Sequence, residues 1–170
     1  RLCWIKFDPT NSDIIYAGLN PTGIYKSVDG GITWVEKNVG LMEPVVYPID
    51  INPSNPNEIY VGTGYNRDQN LDVIKGIGIF KSIDGGETWF DTSSNLPKPI
   101  IVNTINIDPL DHSTVIIGTE KGLFVSQNSG NTWSLVQPTN FNSIYALDFS
   151  SDFETIYFST DDSVWKGIRK

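Results

Sequence analysis

Eight residues recur along this chain. "SVDGGITW" spans residues 27–34, "SIDGGETW" spans 82–89, and "SQNSGNTW" spans 126–133. A repeat of this kind constrains the fold more than any local propensity, because each copy must form the same supersecondary unit. The flanking residues repeat as well. Asp8, Asn52, Asp108 and Ser150 occupy equivalent places, at intervals of 44, 56 and 42 residues. The fourth unit, "YALDFSSDFETIYFSTDDSVWKG", stops before its own copy of the octapeptide.

Each unit carries four short strand signals separated by turn residues. In the second unit these predict strand A over about 47–52, strand B over 58–63, strand C over 78–83 and strand D over 88–92. Strands A to C are rich in Ile, Val, Tyr and Phe, which suit a pleated, half-buried surface. The A–B turns read "DPTN", "NPSNPN" and "DPLD", where Pro presets the backbone and the preceding Asp or Asn bonds nearby amides. No segment has a helical period of 3.6. Four antiparallel strands repeated every 45 residues or so predict an all-β chain, a β-propeller of four-stranded blades. Three blades are complete and the fourth holds strands A, B and C. The predicted blades cover about 1–40, 41–97, 98–139 and 140–170. Because propellers typically close with four to eight blades, the expectation is a fragment of a larger propeller. Remaining blades, or a partner chain, are needed to close it.

The octapeptide lies on the C–D hairpin, and its acidic residue admits two readings. As an active-site loop, Asp29 and Asp84 would do chemistry. As a turn, they accept bonds from their own backbone amides, and Trp34 and Trp89 supply apolar surface to bury. The third copy separates the readings. Asn128 replaces the aspartate, and an amide can hold the turn but cannot act as a general base or anionic ligand. Asp29, Asp84 and Asn128 are therefore assigned as structural turn residues. A calcium loop would need several oxygen ligands at alternating positions; the three copies carry one carboxylate, two and none.

These units resemble Asp-box repeats, also called bacterial neuraminidase repeats, whose pattern Ser-x-Asp-x-Gly-x-Thr-Trp is matched fully twice and partly once. The preceding "DPxxxxxIYAG…GIYKS" is similar to blades of sortilin-type receptors, photosystem assembly propellers and xyloglucan-degrading hydrolases. The resemblance implies the fold; one fold hosts many activities. Sialidases of the superfamily would bring an arginine triad, but the only arginines are Arg1, Arg67 and Arg169, none in the family's context. Xyloglucan-degrading relatives place a catalytic carboxylate just after strand B in a "T-D-x-G-G" setting. The matching positions are "TEKG" and "TDDS", which makes Glu120 and Asp161 the candidate catalytic residues by resemblance. Neither turn keeps the paired glycines.

Other chemistry has little to rest on. There are 20 acidic residues against 12 basic ones, a net charge of -8. That argues against nucleic acid, whose affinity comes from neutralised phosphates, and against an anionic membrane surface. No apolar run approaches the roughly 20 residues that span a bilayer. Cys3 is the sole cysteine, so neither an internal disulfide nor a cysteine-based zinc site is expected. The sole histidine, His112, follows an A–B turn without a nucleophile beside it. No cofactor and no metal are predicted. The opening "RLCWIKFD" has no Met and suggests a mature product or a piece of something longer. The expected setting is extracellular, cell-surface or periplasmic.

The B–C and D–A loops gather on the face opposite the repeated turns, and that face carries the variable sequence. Its longest insertion runs from Gly64 to Gly76. Tyr65, Asn66, Arg67, Asp68, Gln69, Asn70 and Asp72 offer donors, acceptors and one stacking ring, a mix suited to a glycan or a protein surface. Met42, Tyr47 and Phe141, on the D–A connections, would join its rim. Lys6, Asp50, Asn106 and Asp148 align within strand A and are expected to line a wet central channel. The leading expectation is a non-catalytic binding or scaffold module that recognises a protein or glycan through this face. One alternative is a fragment of a xyloglucan-degrading glycoside hydrolase. Another is a structural subunit of an extracellular assembly.

Overall fold

The computed structural model describes residues 2–42, 46–64, 76–136 and 143–168. Among them there are fifteen strands and no helix. The strands form four antiparallel sheets, each a meander in chain order. Sheet 1 contains β1 (Leu2–Phe7), β2 (Ile15–Leu19), β3 (Gly23–Ser27) and β4 (Val35–Glu36). Sheet 2 contains β5 (Val46–Ile51), β6 (Ile59–Thr63), β7 (Ile79–Ser82) and β8 (Phe90–Asp91). Sheet 3 contains β9 (Val102–Ile107), β10 (Val115–Thr119), β11 (Gly122–Ser126) and β12 (Ser134–Leu135). Sheet 4 has three strands, β13 (Ala146–Phe149), β14 (Thr155–Ser159) and β15 (Val164–Ile168). This is the predicted propeller architecture, three four-stranded blades and the first three strands of a fourth.

The outer strand is shorter than predicted. In blade 2 it is the two-residue β8; the Thr92 amide still donates to the Ile79 carbonyl of β7 at 3.1 Å, while its hydroxyl bonds the Gly130 carbonyl of the next blade. The turns are held locally. Asp8 Oδ1 accepts the Thr10 amide at 2.7 Å, Asn52 Oδ1 the Ser54 amide at 3.0 Å, and Asp108 Oδ1 the Leu110 amide at 2.8 Å. In blades 1 to 3 the A–B turn also accepts an amide from the C–D turn beside it. Gly30, Gly85 and Ser129 donate to the carbonyls of Asp13, Asn57 and Ser113. Both turn types therefore share one end of the blade, and the B–C turns lie at the other.

The apolar core lies between blades, not within them. One cluster joins Tyr16 and Ile24 of blade 1 to Val46, Ile59, Phe80 and Trp89 of blade 2. A second joins Tyr60 and Ile79 to Val102, Val115, Phe124 and Trp133 of blade 3. A third joins Ile116 and Leu123 to Ile144 and Leu147 of blade 4. Since a strand presents alternate residues to its two faces, each blade uses one face for the preceding joint and the other for the next.

The aligned polar residues of the innermost strands stitch these joints. Lys6 pairs with Asp50 at 2.8 Å, and Asp50 Oδ2 accepts the Ile107 amide at 2.8 Å. Asn106, with its amide nitrogen turned that way, donates to the Leu147 carbonyl at 3.1 Å. They are not sealed among apolar neighbours, as a dry core would require. Of the four, Lys6 and Asp50 partner each other, while Asp50, Asn106 and Asp148 also bond main-chain groups.

Candidate functional site

The repeated C–D turn is a closed hydrogen-bond system. In blade 2, Ser82 Oγ donates to Asp84 Oδ1 at 2.8 Å and accepts the Gly86 amide at 2.8 Å. The Thr88 amide donates to Asp84 Oδ1 at 2.9 Å, and the Thr88 hydroxyl to Oδ2 at 2.6 Å. Blade 1 repeats this with Ser27, Asp29, Gly31 and Thr33. Hydrogen bonds from Thr33 and Ser27 draw the Asp29 carboxyl down to about 2. For Asp84, partial burial pushes upward, but the Thr88 and Ser82 bonds outweigh it and leave the carboxyl at about 2. Such a carboxylate is a poor proton carrier near neutral pH. In blade 3, Asn128 Oδ1 accepts the Thr132 amide at 2.9 Å while its Nδ2 donates to the Thr132 hydroxyl at 2.8 Å. Ser129 fills a left-handed position, φ 55°, where the other copies have glycine.

The B–C and D–A connections meet at the opposite end. Blade by blade, its connections are tied together by main-chain bonds. The insertion after β6 is pinched at its base, since a Cβ on Gly64 would lie 2.0 Å from the Gly76 Cα. Thr63 Oγ1 accepts the amides of Ile77 and Gly78, both at 3.0 Å. From this base the Gly76 carbonyl accepts the Ile100 amide at 2.9 Å, and the next carbonyl, Ile101, accepts the Glu120 amide at 3.2 Å. The Ile144 amide then donates to Thr119 at 2.9 Å, and the Tyr145 amide to Ser159 at 3.0 Å. Finally the Tyr145 hydroxyl donates to Asp161 Oδ1 at 2.6 Å. The base of the insertion, Glu120 and Asp161 thus stand on successive connections of one surface.

Glu120 is half-buried in its turn. That turn is braced by Thr119 Oγ1, which donates to the Gly122 carbonyl at 2.8 Å and accepts the Lys121 amide at 3.0 Å. Lys121 Nζ caps the Pro97 and Pro99 carbonyls. Asp161 is exposed, with its orientation set by Tyr145. Of the rim candidates, Met42 is exposed and Tyr47 half-buried. Tyr65, Asn66, Arg67, Asp68, Gln69, Asn70, Asp72 and Phe141 lie outside the described residues. Tyr145 was missed in the sequence, although an aromatic residue entering strand A beside an acidic B–C turn could have marked it. Among the described residues no group of His, Cys, Asp and Glu is placed to hold a metal ion. Nor is any helix there long and apolar enough to cross a membrane.

No family model matches this chain. It is 29% identical over 163 residues to the xyloglucanase Xgh74A of Acetivibrio thermocellus, a match covering 88% of this chain and 19% of that protein. The chain thus spans about a fifth of the length of the curated relatives it matches. Its fold is similar to the crystal structure of an ancestral GH74 enzyme, with a TM-score of 0.80 and 22% identity over 98% of this chain and 22% of that one. It is also similar to the extracellular domain of the BT4673 two-component system of B. thetaiotaomicron. There the TM-score is 0.70 and the identity 19%, over 94% of this chain and 20% of that one. The class defined by fold and neighbours is the β-propeller. Within it, the sequence likeness is to xyloglucanases, which favours the hydrolase alternative over the non-catalytic reading.

Proposed function

We propose that this chain is a set of blades from a glycoside hydrolase of the xyloglucan-degrading type, acting outside the cell on a polysaccharide. The observation that carries the reading is the likeness to xyloglucanase Xgh74A over 88% of the chain. The surface opposite the repeated turns is its polysaccharide face. Glycoside hydrolysis uses two carboxyl groups flanking the scissile bond, and Glu120 and Asp161 are the proposed contributions of these blades. The Tyr145 ring beside Asp161 offers a flat surface on which a sugar can stack. The repeated turns are read as Asp boxes, with Asp29, Asp84 and Asn128 serving the backbone, and the blades divide at about residues 40, 97 and 139.

The test is hydrolysis of soluble xyloglucan by the longest natural form of the protein. Release of reducing ends is expected, with kcat lowered at least 100-fold by Glu120→Gln or Asp161→Asn and the fold unchanged by circular dichroism. Unaltered kcat in both variants would remove these carboxylates from the chemistry. A binding module is the second reading, favoured by the exposure of Asp161 and by turns that lack the paired glycines. It predicts retardation in xyloglucan-containing gels without any hydrolysis.

A further inference from the structure

Glu120 and Asp161 stand on different blades, so their relation is set by the joint between blades 3 and 4. The connections that carry them meet at Ile144. Its amide donates to the Thr119 carbonyl at 2.9 Å, directly before Glu120. Its carbonyl accepts Asn103 Nδ2 of blade 3 at 2.9 Å. Its side chain is fully buried against Gly118, where an added Cβ would lie 2.6 Å from the Ile144 Cγ2. Tyr145, the next residue, donates its amide to the Ser159 carbonyl at 3.0 Å and its hydroxyl to Asp161 at 2.6 Å. One dipeptide, Ile144–Tyr145, therefore bonds both the Glu120 turn and the Asp161 turn.

Asn103 reaches this dipeptide because β9 is irregular there. Thr104 pairs with Gly118 and Val102 with Thr119, which leaves Asn103 as an extra residue in the ladder. A bulge of this kind re-aims a side chain that would otherwise follow the strand's alternation. Cys3 and Tyr47 align with Asn103 in blades 1 and 2 and carry no side-chain amide. At the first joint the carbonyl equivalent to that of Ile144 belongs to Val46, and it takes the Trp4 indole at 3.2 Å. A donor from the preceding innermost strand thus seizes the entry of the next one at both joints. At the joint beside Glu120 that donor is Asn103. Asn106 also crosses this joint, but it bonds Leu147, deeper in β13, and leaves the entry itself to Asn103.

We infer that Asn103 is a positioning residue, which holds the Ile144–Tyr145 entry of blade 4 against the Glu120 turn and so fixes the span between Glu120 and Asp161. Its effect on rate rests on the hydrolase reading; its hold on Ile144 does not. In glycoside hydrolysis the span between the two carboxyl groups decides whether a water fits beside the sugar or the second carboxylate attacks it directly. A misplacement of about 1 Å can cost roughly 100-fold in rate. Asn103 acts through main-chain groups and touches none of the reacting atoms.

The test uses the longest natural form of the protein with Asn103→Leu and the isosteric Asn103→Asp, neither of which can donate to Ile144 at neutral pH. Amide hydrogen exchange is followed over residues 143–147, and kcat and KM are measured on soluble xyloglucan. Exchange at Ile144 and Tyr145 is expected to speed by about tenfold or more in both variants. In both, kcat should fall by about tenfold or more with KM held within about twofold, and circular dichroism should match the parent. Asn103→Gln keeps the donor and should recover part of both changes. Asn95 supplies the control, an amide that bonds the Trp133 main chain at 2.6 and 3.0 Å across the joint between blades 2 and 3. Asn95→Leu should speed exchange at Trp133 and leave kcat at the parent value. Unchanged exchange over residues 143–147 overturns the inference. Faster exchange with undiminished kcat in an active parent overturns it too, as does an equal loss of kcat in Asn95→Leu. If the parent binds xyloglucan without cleaving it, the hydrolase reading fails and the exchange pattern alone decides for or against Asn103.

Discussion

Lys81 Nζ lies 2.9 Å from the main-chain carbonyl of Ser129 in the following blade and 3.1 Å from Glu58 Oε1 in its own. The pair is largely buried, with side-chain exposures of 10% and 14%. Removing one partner of a buried ion pair strands the other charge. Lys81→Met should therefore cost about 3 kcal/mol in a urea titration. Lys26→Met should cost clearly less, because its carboxylate partner, Glu87, is half exposed and paired more closely with Lys37.

The repeated turn predicts its own acid sensitivity. The Asp29 and Asp84 carboxyls sit near 2 in the fold against an ordinary 3.8. A lowered carboxyl stabilises the folded state above its unfolded value and loses that contribution as pH falls through the folded one. The urea midpoint should accordingly drop between about pH 4 and pH 2. In an Asp29→Asn, Asp84→Asn double variant the drop should be shallower, with stability at pH 6 close to that of the parent. Asn128 already makes the same turn with an amide. A double variant that is unfolded at pH 6 would contradict this.

Tyr16 and Tyr60 should titrate late. Burial, joined by the nearby carboxylates of Asp8 and Glu87, pushes the Tyr16 phenol up. Burial and the bond to Glu58 do the same for Tyr60. A raised phenol stabilises nothing below its unfolded value, about 10, and penalises the fold as pH rises above it. Absorbance at the phenolate band should show these two tyrosines ionising only together with alkaline unfolding. Tyr16→Phe and Tyr60→Phe should each remove one late-titrating group.

Gly40 sets the outer edge of the first joint. Its φ is 91°, and an added Cβ would lie 2.0 Å from the Trp89 carbonyl oxygen. Gly40→Ala should destabilise by about 2 kcal/mol or more, since a left-handed backbone without glycine costs roughly 1 kcal/mol before any clash. Trp89 emission should shift to the red, reporting a loosened joint. An unchanged melting temperature would show that the contact yields without cost.

What could be read in the sequence is what the chain makes locally. Ser82, Asp84, Gly86 and Thr88 bond one another within seven residues, so the octapeptide announces its turn and its register. The joints are another matter. Tyr16 meets Gly85 across 69 residues, and Trp133 meets Thr92 across 41. No spacing rule within one blade links such pairs. The same holds for the polar residues of the innermost strands. Their alignment was visible, but Lys6 and Asp50 are partners only because two blades meet. At the candidate site Glu120 and Asp161 were legible as acidic B–C turns. The Tyr145 bond to Asp161 needed the β13–β14 pairing to bring residues 145 and 161 together.

The cross-strand partners that face the following blade differ, Lys6, Tyr16 and Lys26 in blade 1, Asp50, Tyr60 and Lys81 in blade 2, and Asn106, Ile116 and Val125 in blade 3, and this makes the blades unequal as building parts. A second copy of blade 2 spliced in after the first would meet Gly85 with Tyr60 and Lys81, the same two residue types that blade 1 already sets against that carbonyl. A second copy of blade 3 would meet Ser129 with Ile116 and Val125, which have no donor to give it. An engineer lengthening this array should therefore duplicate blade 2, and should expect blade 3 to work only as a terminus or beside a blade that lacks the turn.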